Sequence, residues 1–369
     1  MVPRASWPAL PLVGTSALRP GSGSDTVHEP GRRKRPVTAK RLCVLAILSG
    51  VLATGAVRAL ASESSPAPPP DPPAYRNPVM AGDFPDPTAV RIGPEYWAIA
   101  TASSGQPSPP ILRSPDLVHW SVAGHLLAGA PPWSSGRQLW GPWLERNGDR
   151  YLVYYSARKK HGRPCVTVGE APNPIGPYTD YGPLVCQAGA SIDPSVVYNA
   201  NDWPFLIWKE NGGANPSSIW TQPLTLDGLR LTGAPHKIMV GDRDSWEGGL
   251  IEGPRIIRRH HWLYLFYSGG RCCAPSSCRY ALGVARAHGI YGPWRRAPQN
   301  PILASDNHWI CPGHGALLQP PSGHWWLLYN GYRATGPPDR GREMLLDLVH
   351  WSRDDWPFIK RGSRPAPAP

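Results

Sequence analysis

Past residue 61 the sequence lacks any long apolar run. No stretch there keeps an apolar 3.6-residue period over twelve residues without Pro or Gly interrupting it, which disfavours helical and α/β folds. Acidic residues are few, 26 Asp and Glu against 38 Lys and Arg, but the imbalance is local. Nine Lys and Arg and only Asp25 and Glu29 fall within residues 1–61, which leaves +5 of the +12 net charge for the remainder. Apart from Arg32–Arg35 in the leading segment there is no basic run suited to nucleic acid, so no nucleic-acid partner is expected. The seven cysteines contain no paired Cys-x-x-Cys spacing, which argues against structural zinc.

What is abundant points to strands and turns. Pro (47) and Gly (39) are accompanied by 17 Trp and 14 Tyr, far too many aromatics for a disordered chain. At the start, a basic stretch (Arg32 to Arg35, Lys40, Arg41) precedes an apolar run, Leu42 to Val57, and then Ala59-Leu60-Ala61. That order is expected of an export signal cleaved after Ala61, or of an uncleaved signal anchor, and either places the rest of the chain outside the cytoplasm. Residues 1–36 fit neither signal nor domain. Residues 62–74 read as a Pro-rich linker and 75–364 as one domain. With Cys43 in the leader, six cysteines remain, an even number that suggests disulfides, and Cys165 with Cys186 is the preferred pair because both lie in one repeat.

One pattern recurs five times in the domain: a polar or aromatic residue, usually then Pro or Gly, an apolar strand, a polar turn and an aromatic strand. The copies start at Asp86, Trp140, Asp193, Glu252 and His314, at intervals of 53 to 62 residues. A period of that length with two or more strands per copy is expected of an all-β fold, a five-bladed β-propeller. Because the innermost strand of each blade borders the central channel, the five opening residues should share one cavity.

An Asp or Glu at a strand start commonly just caps a turn. Here, however, the five opening residues differ chemically while their surroundings stay alike, which is what a substrate cavity needs. Glycoside hydrolysis by inversion takes one protonated carboxyl and one ionised carboxylate roughly 6.5–9.5 Å apart. Opposite walls of a channel can supply that gap, with Asp86 as general base and Glu252 as general acid. Asp193, in the neighbouring blade, would raise the acid's pKa by like charge.

At these residues the sequence resembles glycoside hydrolase family 43, over essentially Tyr75 to Arg364. The resemblance rests on Asp86-Pro87, Ile192-Asp193-Pro194 and Glu252-Gly253-Pro254, supported by Trp140-Gly141-Pro142, Gly313-His314-Gly315 and Gly341-Arg342. It implies an exported inverting hydrolase of arabinose- or xylose-containing plant polysaccharides or oligosaccharides, with Asp193 as modulator and orienter of the acid. It also implies that Trp140 packs against the sugar, that His314 lies near the channel axis and that Arg342 hydrogen-bonds the sugar. Arg342 could instead pair with Glu343 or Asp347. No cofactor is required, though a structural Ca2+ in the channel would be linked to His314 through water. From the residues alone His314 reads equally as a hydrogen-bonded histidine, since one imidazole is no calcium site. The expected partner is a neutral saccharide, with no stable protein partner implied. Two alternatives stand beside this reading. One is a retaining fructan-type five-bladed hydrolase, against which the opening Phe84-Pro85-Asp86-Pro87-Thr88 argues, and the other is a non-catalytic carbohydrate-binding propeller.

Overall fold

Short apolar strands joined by tight turns leave each sheet with two faces to cover. The computed structural model describes residues 74–360, except 104, 107 and 336–340, together with 366–367. The export signal expected at 42–57 and most of the 62–74 linker lie outside these residues. β1 (Ala74–Tyr75), which begins at the last residue assigned to the linker, pairs with β22 (Ala366–Pro367). Between them lie five antiparallel four-stranded sheets in simple chain order. Blade one holds β2 (Thr88–Ile92), β3 (Glu95–Ile99), β4 (Pro110–Ser114) and β5 (Ser121–His125). Blade two holds β6 (Trp140–Asn147), β7 (Arg150–Arg158), β8 (Pro164–Ala171) and β9 (Thr179–Val185). Blade three holds β10 (Ser191–Tyr198), β11 (Pro204–Glu210), β12 (Ser218–Pro223) and β13 (His236–Val240). Blade four holds β14 (Ile251–Arg259), β15 (Trp262–Gly269), β16 (Ala281–Ala287) and β17 (Arg295–Arg296). Blade five holds β18 (Trp309–Leu318), β19 (Trp325–Arg333), β20 (Glu343–Trp351) and β21 (Pro357–Ile359). The fold is the expected five-bladed β-propeller. Among the described residues no helix is long and apolar enough to cross a membrane.

In blades two and four a tight first turn fixes the register. Asn147 pairs with Arg150 and Arg259 with Trp262, so two residues close each hairpin. Gly148 (φ 61°) and His260 (φ 52°) supply the positive φ that such turns demand.

A propeller has no single core, because its axis is a channel. The buried side chains instead form five clusters, each gathering residues of two neighbouring blades. Ile99 and Ile111 of blade one meet Val153 and Tyr155 of blade two, and Ala98 and Leu112 meet Leu328 and Leu346 across the seam between blades one and five. Cys165 and Cys186 form a disulfide, as expected; Cys272–Cys273 and Cys278–Cys311 are the other two.

The seam is closed by the segment before blade one, which runs along β20. Val79 N–H donates to Met344 O (3.0 Å), Met344 N–H to Met80 O (3.0 Å), and the Tyr75 hydroxyl to Leu346 O. Asn77 clamps Leu346 from both sides, donating through Nδ2 to its carbonyl (3.0 Å) and accepting its N–H (2.8 Å). Asn77→Ala strips the Leu346 N–H of this partner and is expected to cost about 1–3 kcal/mol, read as a lower urea midpoint at unchanged m-value. A midpoint equal to wild type would show that the latch does not hold the ring.

A second stability prediction concerns Glu145 on β6, which accepts hydrogen bonds from Trp143 Nε1 (2.9 Å) and the Tyr198 hydroxyl (3.2 Å) of blade three. Burial outweighs both and pushes its carboxyl up to about 7 from an ordinary 4.5. Between those two values the folded chain keeps a proton that the unfolded chain has released, so stability falls as pH rises through the window and levels off above it. Glu145→Gln should remove that slope. Its melting temperature relative to wild type is expected to climb from pH 4.5 to pH 7; a constant offset across that range would refute the shift.

Candidate active site

The residue opening each innermost strand sits in a bulge. Asp86, Gly141, Asp193, Gly253 and His314 all adopt positive φ (54°, 51°, 56°, 56° and 43°). In four blades the ladder skips at that point, between Trp140 and Trp143, Ile192 and Ser195, Glu252 and Arg255, and Gly313 and Gly315. The next residue is Pro in four copies (87, 142, 194 and 254) and Gly315 in the fifth. With no N–H to give the ladder, proline fixes where the bulge falls. The expected equivalence of the five opening residues is therefore corrected in two blades. Trp140 and Glu252 stand one residue ahead of the bulge, level with Ile192 and Gly313. The more conspicuous side chain suggested the register, whereas the backbone sets it.

This register exposes a ring of side chains at the channel ends of the second strands. Thr101, Ser156, Lys209, Ser268 and Asn330 follow their own bulge residue by fifteen or sixteen positions. Four of them accept a hydrogen bond from the bulge N–H of the next blade. Thr101 Oγ1 takes Gly141 (2.9 Å), Ser156 Oγ takes Asp193 (3.1 Å), Ser268 Oγ takes His314 (2.9 Å), and Asn330 Oδ1 closes the circle on Asp86 (2.6 Å). The fifth is different: Lys209 has no acceptor atom, and the Gly253 N–H goes to Asp193 Oδ2 instead (3.1 Å).

The predicted carboxylates are thus brought together. Asp86 receives Thr101 Oγ1 (2.7 Å) on Oδ2 and Arg342 Nη1 (2.9 Å) on Oδ1, which also lies 3.3 Å from His314 Nδ1. Glu252 receives Lys209 Nζ (2.6 Å) on Oε2 and the Tyr280 hydroxyl (2.8 Å) on Oε1. One ligand atom each from Asp193, Glu252 and His314 lies within 4.8 Å of the others. His314 therefore stands between the two candidate catalytic acids, each hydrogen-bonded to its own partners.

Their electrostatics diverge. Burial pushes Asp86 up, but Arg342, His314 and the Thr101 hydroxyl pull harder and hold it below the usual carboxylate range. Asp193 moves upward, raised by burial with Glu252 and Asp86 adding to it, against His314 and Lys209. Glu252 is also pushed up by burial, yet the Lys209 ammonium, with His314 and Tyr280, holds it below its ordinary value. The expected elevation of Glu252 by Asp193 is thus reversed in the free channel, because the cation in contact with Glu252 outweighs the neighbouring carboxylate. Of this interacting pair, Asp193 is the one shifted toward holding a proton.

The remaining predicted residues do not all join the carboxylates, none of which lines the cavity beside Trp140. Trp140 is half-buried and lines a cavity of about 570 Å³ with Gln138, Arg158, Ile192 and Asn211. Arg342 bonds Asp86, not Glu343 or Asp347; Glu343 pairs with Arg333 (2.7 Å) and Asp347 accepts from the Tyr329 hydroxyl (2.5 Å). His314 Nε2 is buried without a hydrogen-bond partner. The Asp193, Glu252 and His314 set does not fit Ca2+, which takes about six to eight oxygen ligands. Both Glu252 oxygens are already engaged, and the Lys209 ammonium lies 2.6 Å from one of them.

Glycines at two bulges let these groups approach. A Cβ on Gly141 would stand 2.7 Å from Asp193 Oδ1, and one on Gly253 would stand 3.0 Å from the His314 ring. An alanine at position 141 is therefore not tolerated without moving Asp193.

A family model described as Glycosyl hydrolases family 43 matches residues 75–357. The chain belongs to this family. It is 28% identical over 325 residues to xylosidase/arabinosidase 43B of Humicola insolens, covering 80% of this chain and 56% of that protein. It is 23% identical to extracellular endo-alpha-(1->5)-L-arabinanase 1 of Bacillus subtilis, covering 74% of this chain and 86% of that one. The crystal structure of a thermostable family-43 glycoside hydrolase shares the fold with a TM-score of 0.71 at 24% identity, over 80% of this chain and 99% of that chain. This family 43 chain spans about half the length of the curated relatives it matches first. Sequence reasoning missed Thr101, Ser156, Lys209, Ser268, Tyr280 and Asn330 within it. Each of the five ring positions could have been located by counting fifteen or sixteen residues from the correct bulge, though not the burial of Lys209 there; nothing marks Tyr280, which lies just past the Cys-rich loop.

Proposed function

We propose that the chain is an exported inverting glycoside hydrolase acting on arabinose- or xylose-containing polysaccharides or oligosaccharides. Asp86 acts as general base, Glu252 as general acid, and Asp193 orients the acid's surroundings. The carrying observation is that three carboxylates meet in one channel with their proton affinities pushed apart, Asp86 and Glu252 held down by the cations beside them and Asp193 pushed up by burial. An ionised Asp86, fixed by Thr101 and Arg342, can take a proton from water; protonated Glu252 gives one to the leaving oxygen. The names of the relatives, which include a xylosidase/arabinosidase and an arabinanase, support the choice of sugars. The cavity beside Trp140 provides room for further sugar units. Export is supported by three disulfides, which persist in oxidising compartments.

The purified protein should release nitrophenol from the α-arabinofuranoside or the β-xyloside, or shorten linear arabinan. Proton NMR in the first minutes should show the anomer opposite to that of the substrate. A first product of retained configuration would favour the fructan-type mechanism, and no turnover of any of the three would favour a binding protein.

The pH dependence of the rate has a definite sign. Rate requires Asp86 ionised and Glu252 protonated, and Lys209 favours the ionised form of Glu252. Raising the pH through the acid range should therefore lower kcat/KM. A rate that keeps rising beyond neutral pH would contradict Glu252 as the proton donor.

A further inference from the structure

The ring of second-strand side chains has one exception, and it lies beside the acid. At four blade junctions an oxygen of Thr101, Ser156, Ser268 or Asn330 receives the next blade's bulge N–H. At the junction of blades three and four the same position is Lys209, 2% exposed, its Nζ 2.6 Å from Glu252 Oε2. A serine or threonine there would complete the ring, whereas the lysine buries a cation against Glu252. An unlike residue at one position of a structural repeat, aimed at a functional group, marks a functional departure.

We propose that Lys209 is a positioning residue for the acid: it gives up the fifth clasp so that its ammonium holds Glu252 while the Gly253 N–H is released to fix Asp193. The inference rests on the glycosidase reading for its meaning, but not for its geometry. Released from its expected acceptor, the Gly253 N–H donates to Asp193 Oδ2 and pins that carboxylate in the channel. Glu252 in turn is gripped between Lys209 on β11 and Tyr280 ahead of β16. The other groups facing it are Asp193 on β10 and His314 on β18. Arg255, on its own strand, donates to Pro194 O (3.1 Å) and Pro254 O (2.9 Å), and Arg342 is held by Asp86. Lys209 is thus the cation in direct contact with the acid. It stabilises the carboxylate left once the proton has gone, and it limits the pH range over which the proton is held.

Two variants test this. Lys209→Ser supplies an acceptor for the Gly253 N–H but leaves Glu252 without its cation, so it should melt above a Lys209→Ala control, which loses the same cation and offers no acceptor; equal melting temperatures would overturn the clasp argument. Lys209→Met removes the charge at matched length. Its Glu252 side-chain carboxyl, monitored by carbon-13 NMR, should titrate at least one pH unit higher than in the wild type, and the alkaline limb of kcat/KM should move up with it. A merely structural lysine would lower the melting temperature or kcat and leave the titration where it was, which would overturn the proposal. A wild type that hydrolyses none of the test glycosides would remove the glycosidase reading alone, since the melting and titration measurements still decide the role of Lys209.

Discussion

Glu252→Gln is expected to lower kcat on unactivated arabino- or xylo-oligosaccharides by about 10²–10⁴-fold, with binding still measurable by calorimetry. Glutamine keeps the shape of the side chain, and its one amide oxygen can accept from Lys209 while its NH2 faces the Tyr280 hydroxyl oxygen, but it has no acidic proton to give. The loss should shrink on nitrophenyl glycosides, whose leaving group departs without protonation. That contrast is the decisive part of the experiment. An equal loss on both substrate types would mean that the substitution disturbs the site as a whole, and unchanged hydrolysis would remove Glu252 as the acid.

Asp86→Asn should be as severe, about 10²–10⁴-fold in kcat, for the opposite reason: the group that must accept the water's proton can no longer do so. Arg342 and His314 both meet Asp86 Oδ1, and Thr101 meets Oδ2, so an amide also mismatches donor against donor on one side. Azide needs no base. Added to the variant, it should restore turnover and yield a glycosyl azide of inverted configuration. A retained azide, or a covalent sugar trapped on residue 86 of the wild type, would make Asp86 a nucleophile instead.

Both experiments probe a site that the surrounding strands hold under strain. Asp86, Asp193 and His314 are non-glycine residues with positive φ, a conformation sustained only where the surroundings over-determine it. The ring of side-chain oxygens is that surrounding structure. Each bulge N–H turned out of its own ladder is taken by the neighbouring blade, so blade packing and active-site geometry are one network.

How much of this was legible beforehand differs by residue. The repeat, its period and the punctuating prolines were readable because each blade must rebuild the same hairpin from the same apolar alternation. Asp86, Asp193 and Glu252 could be picked out because unlike residues opened like strands. Lys209 and Tyr280 could not, since a lysine in a strand ordinarily faces water, and only the closed ring shows it buried against a carboxylate. The placing of Glu252 in one class with Asp86 failed for a related reason: a bulge is a property of backbone pairing, and pairing depends on a partner strand.

The sequence by itself determined five blades, their order and the three carboxylates that reach the channel, because strand alternation and proline act locally along the chain. Only the tertiary structure decided which carboxylate is pushed toward its protonated form and which toward its ionised form. Those states come from Arg342, Lys209 and His314, brought into contact across blade boundaries, and Coulomb energy depends on distance through space rather than along the chain.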